Sequence, residues 1–214
     1  MSFLIYGITN DGSSLVIEPS FTLIKSAGIV AIVKASVKEV SREPAIVLAY
    51  GEKVMEIHQQ TTLIPMRYGS ILADEDEVKI HLLDNHSRYQ ARLAELNNCV
   101  EMGVRLLLEP LSNIDTSPQQ RVNGLNYLIA RKRAYAIPEH AEEQAVFLEK
   151  ALSGLYHQHC AAISVFNGQQ TYLLSYLVHR SNLKAFQERL SFVEKSITDL
   201  CSISGPWPPY NFAN

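Results

Sequence analysis

Cysteine is scarce in this chain: 214 residues hold three, Cys99, Cys160 and Cys201, odd in number and far apart. No CxxC pair or Cys/His ligand spacing occurs, which argues against a disulfide framework and against a zinc site. Each cysteine stands in or beside an apolar run, the setting of a small buried hydrophobe in a reducing cytosol. An excess of positive charge is missing too. The formal net charge is −3, and neither side of Asn98 carries a basic field, so a nucleic-acid partner is not expected. Long apolar runs are absent: none approaches the roughly 20 residues of a membrane helix, so no lipid membrane is expected as a partner. The opening Met1-Ser2-Phe3-Leu4-Ile5-Tyr6-Gly7 lacks a basic n-region and does not read as a signal peptide.

Catalytic signatures are also missing. There is no GxSxG elbow, GxxxxGK[ST] loop, GxGxxG turn or HExxH helix. The histidines number seven. His157 and His159 share suggestive spacing, but no carboxylate stands close in sequence to complete a metal site. Asp74-Glu75-Asp76-Glu77 lacks the alternation and distal Glu of a calcium loop and suits a capped helix start. His58 has no evident nucleophile or acid partner. Catalytic, metal and cofactor residues are therefore expected to be none, and the chain is read as a non-enzyme.

What is present is ordinary globular composition, 47% hydrophobic and 19% charged, in a length that suits two small domains. Phe3 to Ile8, Leu15 to Ile17 and Ile29 to Val33 read as strands. After Ser41-Arg42-Glu43-Pro44, the recurrence of Val47, Tyr50, Val54 and Ile57 predicts a helix. Thr62 to Met66 reads as a strand. A helical region then opens at Asp74, with a bend near Asp84-Asn85. From Cys99 the period becomes two, with Val100, Met102, Val104, Leu106 and Leu108 alternating with polar or small residues.

Leu111 to Gln120 reads as a loop, and Val122, Leu125, Leu128 and Ile129 as a short helix ending in Arg131-Lys132-Arg133. Pro138 opens another helix. Asn167-Gly168 between Cys160–Phe166 and Thr171–Val178 predicts a tight hairpin. Ser181 is placed as the cap of a last helix, and Leu200 to Ser204 forms a final strand.

The fold class predicted is α+β in two domains. The second, residues 99–214, is ferredoxin-like (βαββαβ) with an extra helix and an extended C-terminal tail, 205–214. The first, 1–98, is a modified ferredoxin-like α+β domain. In the tail, Trp207, Tyr210 and Phe212 lie among three prolines that forbid helix. They serve either to pack the tail onto its own domain or to anchor another protein.

Several motifs resemble one family. Leu4-Ile5-Tyr6-Gly7-Ile8, Leu63-Ile64-Pro65-Met66-Arg67-Tyr68-Gly69-Ser70 and Glu101-Met102-Gly103-Val104-Arg105 are similar to successive motifs of the gas vesicle proteins GvpF and GvpL. So are Gly124-Leu125-Asn126-Tyr127-Leu128-Ile129-Ala130-Arg131, the strand Tyr172 to Val178, and the ending Gly205-Pro206-Trp207-Pro208-Pro209-Tyr210-Asn211-Phe212. The motifs lean towards GvpF without separating the two. Tyr68 stands where Phe is commoner, and no His-Glu pair falls at its usual place in the first helix.

The resemblance marks Tyr6, Gly7, Pro65, Arg67, Tyr68, Gly69, Tyr127, Leu128 and Arg131 as motif residues. It implies a minor component or assembly factor of the gas vesicle, cytoplasmic and in a prokaryote. The implied partners are the major shell protein (GvpA) and other gas vesicle accessory proteins. The alternative, from fold alone, is a small-molecule-binding or regulatory pair of ferredoxin-like domains.

Overall fold

The computed structural model describes residues 2–12, 15–36, 40–108 and 137–213. The chain forms two compact units, Met1–Glu101 together with Pro206–Asn214, and Met102–Gly205. The loop at 111–120, the short helix at 122–129 and motif residues Tyr127, Leu128 and Arg131 lie outside the described residues.

The first unit is built on β1 (Ser2–Asn10), β2 (Phe21–Ser26) and β3 (Ile29–Ser36), followed by α1 (Pro44–Gln60), β4 (Ile64–Pro65), β5 (Ile71–Leu72), α2 (Glu75–Asp84) and α3 (His86–Glu95). The sheet order is β2-β3-β1-β4, with β5 also pairing β1. All of these pairings are antiparallel. The register sets Ile5 opposite Val33, Ile8 opposite Ala31 and Ile24 opposite Ala31, so these side chains share one face. Leu4, Tyr6, Phe21 and Ile32 form a cluster on the other face with Tyr50, Val54 and Ile57 of α1. A sheet buried on both faces needs nearly continuous apolar strands, which is why Phe3–Ile8 and Ile29–Val33 lack alternation.

Two readings of this unit change. Leu15–Ile17 is not a strand. The Val16 amide donates to Gln60 Oε1 at 2.9 Å, and Gln60 Nε2 donates to the Val16 carbonyl at 3.2 Å, so a side-chain amide replaces a strand neighbour. The strand falls instead at β2, whose buried residues Phe21 and Ile24 are three apart and give no period-two signal. In the helical region, Asn85 ends α2 and opens α3 at φ −104°, ψ 9°. Asp74 accepts from the Glu77 amide at 2.9 Å while Glu77 Oε2 accepts from the Ala73 amide at 2.8 Å, so the acidic run closes the helix start on both sides.

The second unit takes up β6 (Cys99–Leu107) after its first residues, then α4 (Glu139–Ala151), β7 (Gln158–Phe166), β8 (Gln169–His179), α5 (Leu183–Val193) and β9 (Leu200–Trp207). Its sheet order, β7-β8-β6-β9, is that of the ferredoxin-like βαββαβ fold. Asn167 and Gly168 take φ of 50° and 79°, as the two central residues of a two-residue hairpin require. Leu148, Leu174, Tyr176, Phe186 and Leu190 are all buried in its core. Ser181 does not cap α5: a 3-10 turn, Arg180–Asn182, intervenes, and Asn182 precedes the helix.

The end of the chain differs most from the expectation. β9 continues past Ser204 to Trp207, and the chain then turns at Tyr210–Phe212. The sequence reading set 205–214 with the second domain; from Pro206 onward it belongs to the first unit. Glu101 is the reason that hydrogen bonds show. Its carboxylate accepts from the Asn211 amide at 2.9 Å and from Asn211 Nδ2 at 2.5 Å, and Phe212 is buried to 6% exposure.

Candidate functional site

Helix α1 carries two apolar stripes. Tyr50, Val54 and Ile57 face the sheet and are buried. Pro44, Val47, Leu48, Gly51 and Met55 follow the same three- and four-residue spacing on another face and line a groove of about 590 Å³. Val47, expected in the core stripe, belongs to this second one. Leu48 is 64% exposed and Val47 40%. Trp207, Pro208 and Tyr210 form the opposite wall, and Glu52 is the one charged residue in the lining among the described residues. The prolines hold the rings of this wall on a restrained backbone.

The tail aromatics therefore divide their work. Phe212 is buried, Tyr210 packs against the α1–sheet cluster, and Trp207 stays 48% exposed at the groove. Burial pushes the Tyr210 phenol up to about 12, because the phenolate would lose hydration without gaining a partner.

The motif residues of the first unit lie on β1, β4 and the turn that follows β4. Tyr6 stacks edge-on to Phe21 at 4.8 Å and tilts against Tyr50 at 4.4 Å. The buried Tyr50 hydroxyl reaches the carbonyls of Ile5 at 2.9 Å and Met66 at 2.7 Å, tying α1 to β1 and to the end of β4. Tyr68 donates to the Ser41 carbonyl at 2.8 Å, fixing the approach to α1. These tyrosines, with Lys34, Lys53 and Glu18, line a second cleft of about 440 Å³.

Gly7 sits opposite Pro65 where the β1–β3 register shifts. A Cβ at Gly7 would stand 2.5 Å from Leu63 Cδ1 and 3.0 Å from the Ile64 carbonyl oxygen, so a side chain there would crowd the buried Leu63. The Ser70 amide donates to the Arg67 carbonyl at 3.1 Å, closing a turn with Tyr68 and Gly69 at its centre. Arg67 projects from this turn and is exposed.

The groups weighed for chemistry disperse. His58 is buried on α1. His159 Nδ1 lies 3.2 Å from Glu149, a carboxylate that sequence proximity did not suggest, and the His157 ring stands 6.0 Å from that of His179. Among the described residues, no three His, Cys, Asp or Glu side chains gather to hold a metal ion, and no helix there is long and apolar enough to cross a membrane.

Sequence reasoning missed the groove. Its signal was present in Pro44, Val47, Leu48, Gly51 and Met55, but one helix with two apolar stripes reads simply as a well-buried helix.

Over residues 2–214 the chain matches the family described as gas vesicle synthesis protein GvpL/GvpF. It is 25% identical over 180 residues to gas vesicle protein L from a Streptomyces strain, an overlap covering 77% of this chain and 67% of that protein. Its fold is similar to the crystal structure of gas vesicle protein GvpF from Microcystis aeruginosa, with TM-score 0.75 at 13% identity, covering 100% of this chain and 99% of that one. It is likewise similar to the crystal structure of GvpF from Anabaena sp. PCC7120, with TM-score 0.72 at 15% identity, covering 100% and 96%.

Proposed function

Because the chain belongs to the GvpL/GvpF family of gas vesicle synthesis proteins, we propose that it is an assembly protein that binds the major gas vesicle shell protein and assists vesicle nucleation or growth. The observation that carries this reading is the groove, an apolar channel that runs between the α1 wall and Trp207, Pro208 and Tyr210 and has Glu52 as its one charge among the described residues. Exposed apolar surface of this kind is costly to leave in water and commonly marks a protein-binding face. A shell subunit with a strongly apolar face must be held before it assembles, and a groove walled by a rigid helix and proline-braced rings provides complementary surface with little ordering cost. The role requires no bond-making, and the protein is taken to act at the gas vesicle in the cytoplasm.

The test is association of the full chain with purified shell protein. Wild type is expected to co-purify with it. Leu48→Asp, which sets an unpaired charge in the groove at an exposed position, is expected to lose at least about tenfold in affinity, equal to about 1.4 kcal/mol. Unchanged affinity in a folded Leu48→Asp protein would remove the groove from the account.

A further inference from the structure

Resting on the docking reading above, we propose that Arg67 and Arg88 form a carboxylate receptor beside the groove, so that the segment bound there carries an acidic residue next to its apolar anchors. A third cleft of the first unit, about 280 Å³, is lined by Pro65, Met66, Arg67, Arg88, Tyr210 and Ala213 among others, and no Asp or Glu is in that lining among the described residues. The two guanidinium groups arrive from separate elements. Arg67 stands in the β4–β5 turn, where its backbone carbonyl accepts from the Ser70 amide and hydroxyl. Arg88 stands in the first turn of α3.

Three other cations of this unit are held in ion pairs: Lys53 with Glu18, Lys79 with Glu75 and Arg92 with Glu95. Arg67 and Arg88 make no ion pair or side-chain hydrogen bond among the described residues. Tyr89 is also in the lining, and its hydroxyl is paired with His81 Nε2 at 2.7 Å.

Two guanidinium groups lining one cleft, with no carboxylate among the described lining residues, favour an anion there. A guanidinium presents a planar fork of N–H donors, and a carboxylate matches that fork with two oxygens. Tyr210 lines both this cleft and the groove, so the cationic and apolar surfaces meet at one residue. Apolar surface alone would bind any greasy segment. A cationic clamp at its end selects those with a carboxylate in register, a source of specificity and orientation more than of raw affinity. Arg67 is also a motif residue for which the groove by itself supplies no role.

Two measurements on the full chain test this. In the first, the arginine Nε–Hε NMR signals are followed as sodium acetate replaces sodium chloride at constant ionic strength. Arg67 and Arg88 are expected to shift together along one saturating curve, and Arg67→Gln should abolish the response at Arg88. Equal shifts at all exposed arginines, or independent curves for these two, would overturn the receptor.

In the second, binding to the shell protein is measured against salt. Arg67→Gln and Arg88→Gln are each expected to weaken it by about tenfold at low salt and to flatten its salt dependence. Full affinity in both variants, with the acetate response intact in wild type, would overturn the assignment to a partner carboxylate. Leu48→Asp should lose the shell protein yet keep the acetate response, so failure of the groove and failure of the receptor give different results.

Discussion

Gly51 offers a perturbation in which stability and binding should move in opposite directions. It lies in the interior of α1 and in the floor of the groove, and a Cβ built there meets no atom within 4 Å. Glycine in a helix interior costs roughly 0.5–1 kcal/mol relative to alanine, because the unfolded chain loses more conformational freedom and no side chain packs. Gly51→Ala should therefore stabilise the protein by about that amount, raising Tm by about 1–4 °C for a chain of this size. Gly51→Leu should retain most of the gain, since the space above Gly51 is open, while its side chain occupies the groove.

Affinity for the shell protein is expected to be near wild type for Gly51→Ala and at least about tenfold lower for Gly51→Leu. Thermal melts and a binding isotherm on the same samples provide the assay. Emission from Trp207, the single tryptophan of the chain, reports groove filling directly. A lower Tm for Gly51→Ala would refute the placement of Gly51 on an open helix face. Unimpaired binding by a stable Gly51→Leu protein would refute the groove as the docking surface.

Three further outcomes are expected. Gly7→Ala should destabilise the first unit by roughly 1–3 kcal/mol through overpacking, since its Cβ would meet Leu63 Cγ at 2.7 Å and the Ile64 carbonyl oxygen at 3.0 Å; denaturant titration measures this. Asp74→Ala should cost about 1 kcal/mol by removing the acceptor for the Glu77 amide at the start of α2, again read by denaturant titration. Alkaline pH should loosen the tail. The Tyr210 phenol is raised from 10.0 to about 12 by burial, so the folded state holds this proton more tightly than the unfolded one. Its stabilising contribution is whole below the unfolded value and is lost as pH rises through the folded value. Trp207 emission followed from pH 8 upward should change over that window in wild type, and that part of the change should be absent in Tyr210→Phe.

Much of the fold was legible because burial on a regular element leaves a period. The stripe Tyr50, Val54 and Ile57 and the Asn167-Gly168 turn each encode a local geometry in a few adjacent residues, and the alternation from Val100 to Leu108 marked a strand, although Glu101 and Gly103 on its other face are buried too. Where the geometry depends on distant residues, the pattern was silent. β2 is an edge strand with buried residues three apart, and Leu15–Ile17 looks like a strand until Gln60, over forty residues later, takes its backbone hydrogen bonds. The groove was half visible, as one stripe too many on α1, but its far wall comes from the other end of the chain.

Family, fold class and the scarcity of catalytic signatures were thus determined by the sequence alone, since motifs, periodicity and turn residues are local properties of the chain. Tertiary structure alone decided which unit receives the closing segment, that Trp207 and Leu48 line one groove and that Arg67 and Arg88 line one cleft. The physical reason is that the buried Glu101 carboxylate and the cavity filled by Phe212 exist only after the first unit has folded. Contacts between residues some 110 positions apart leave no period to read.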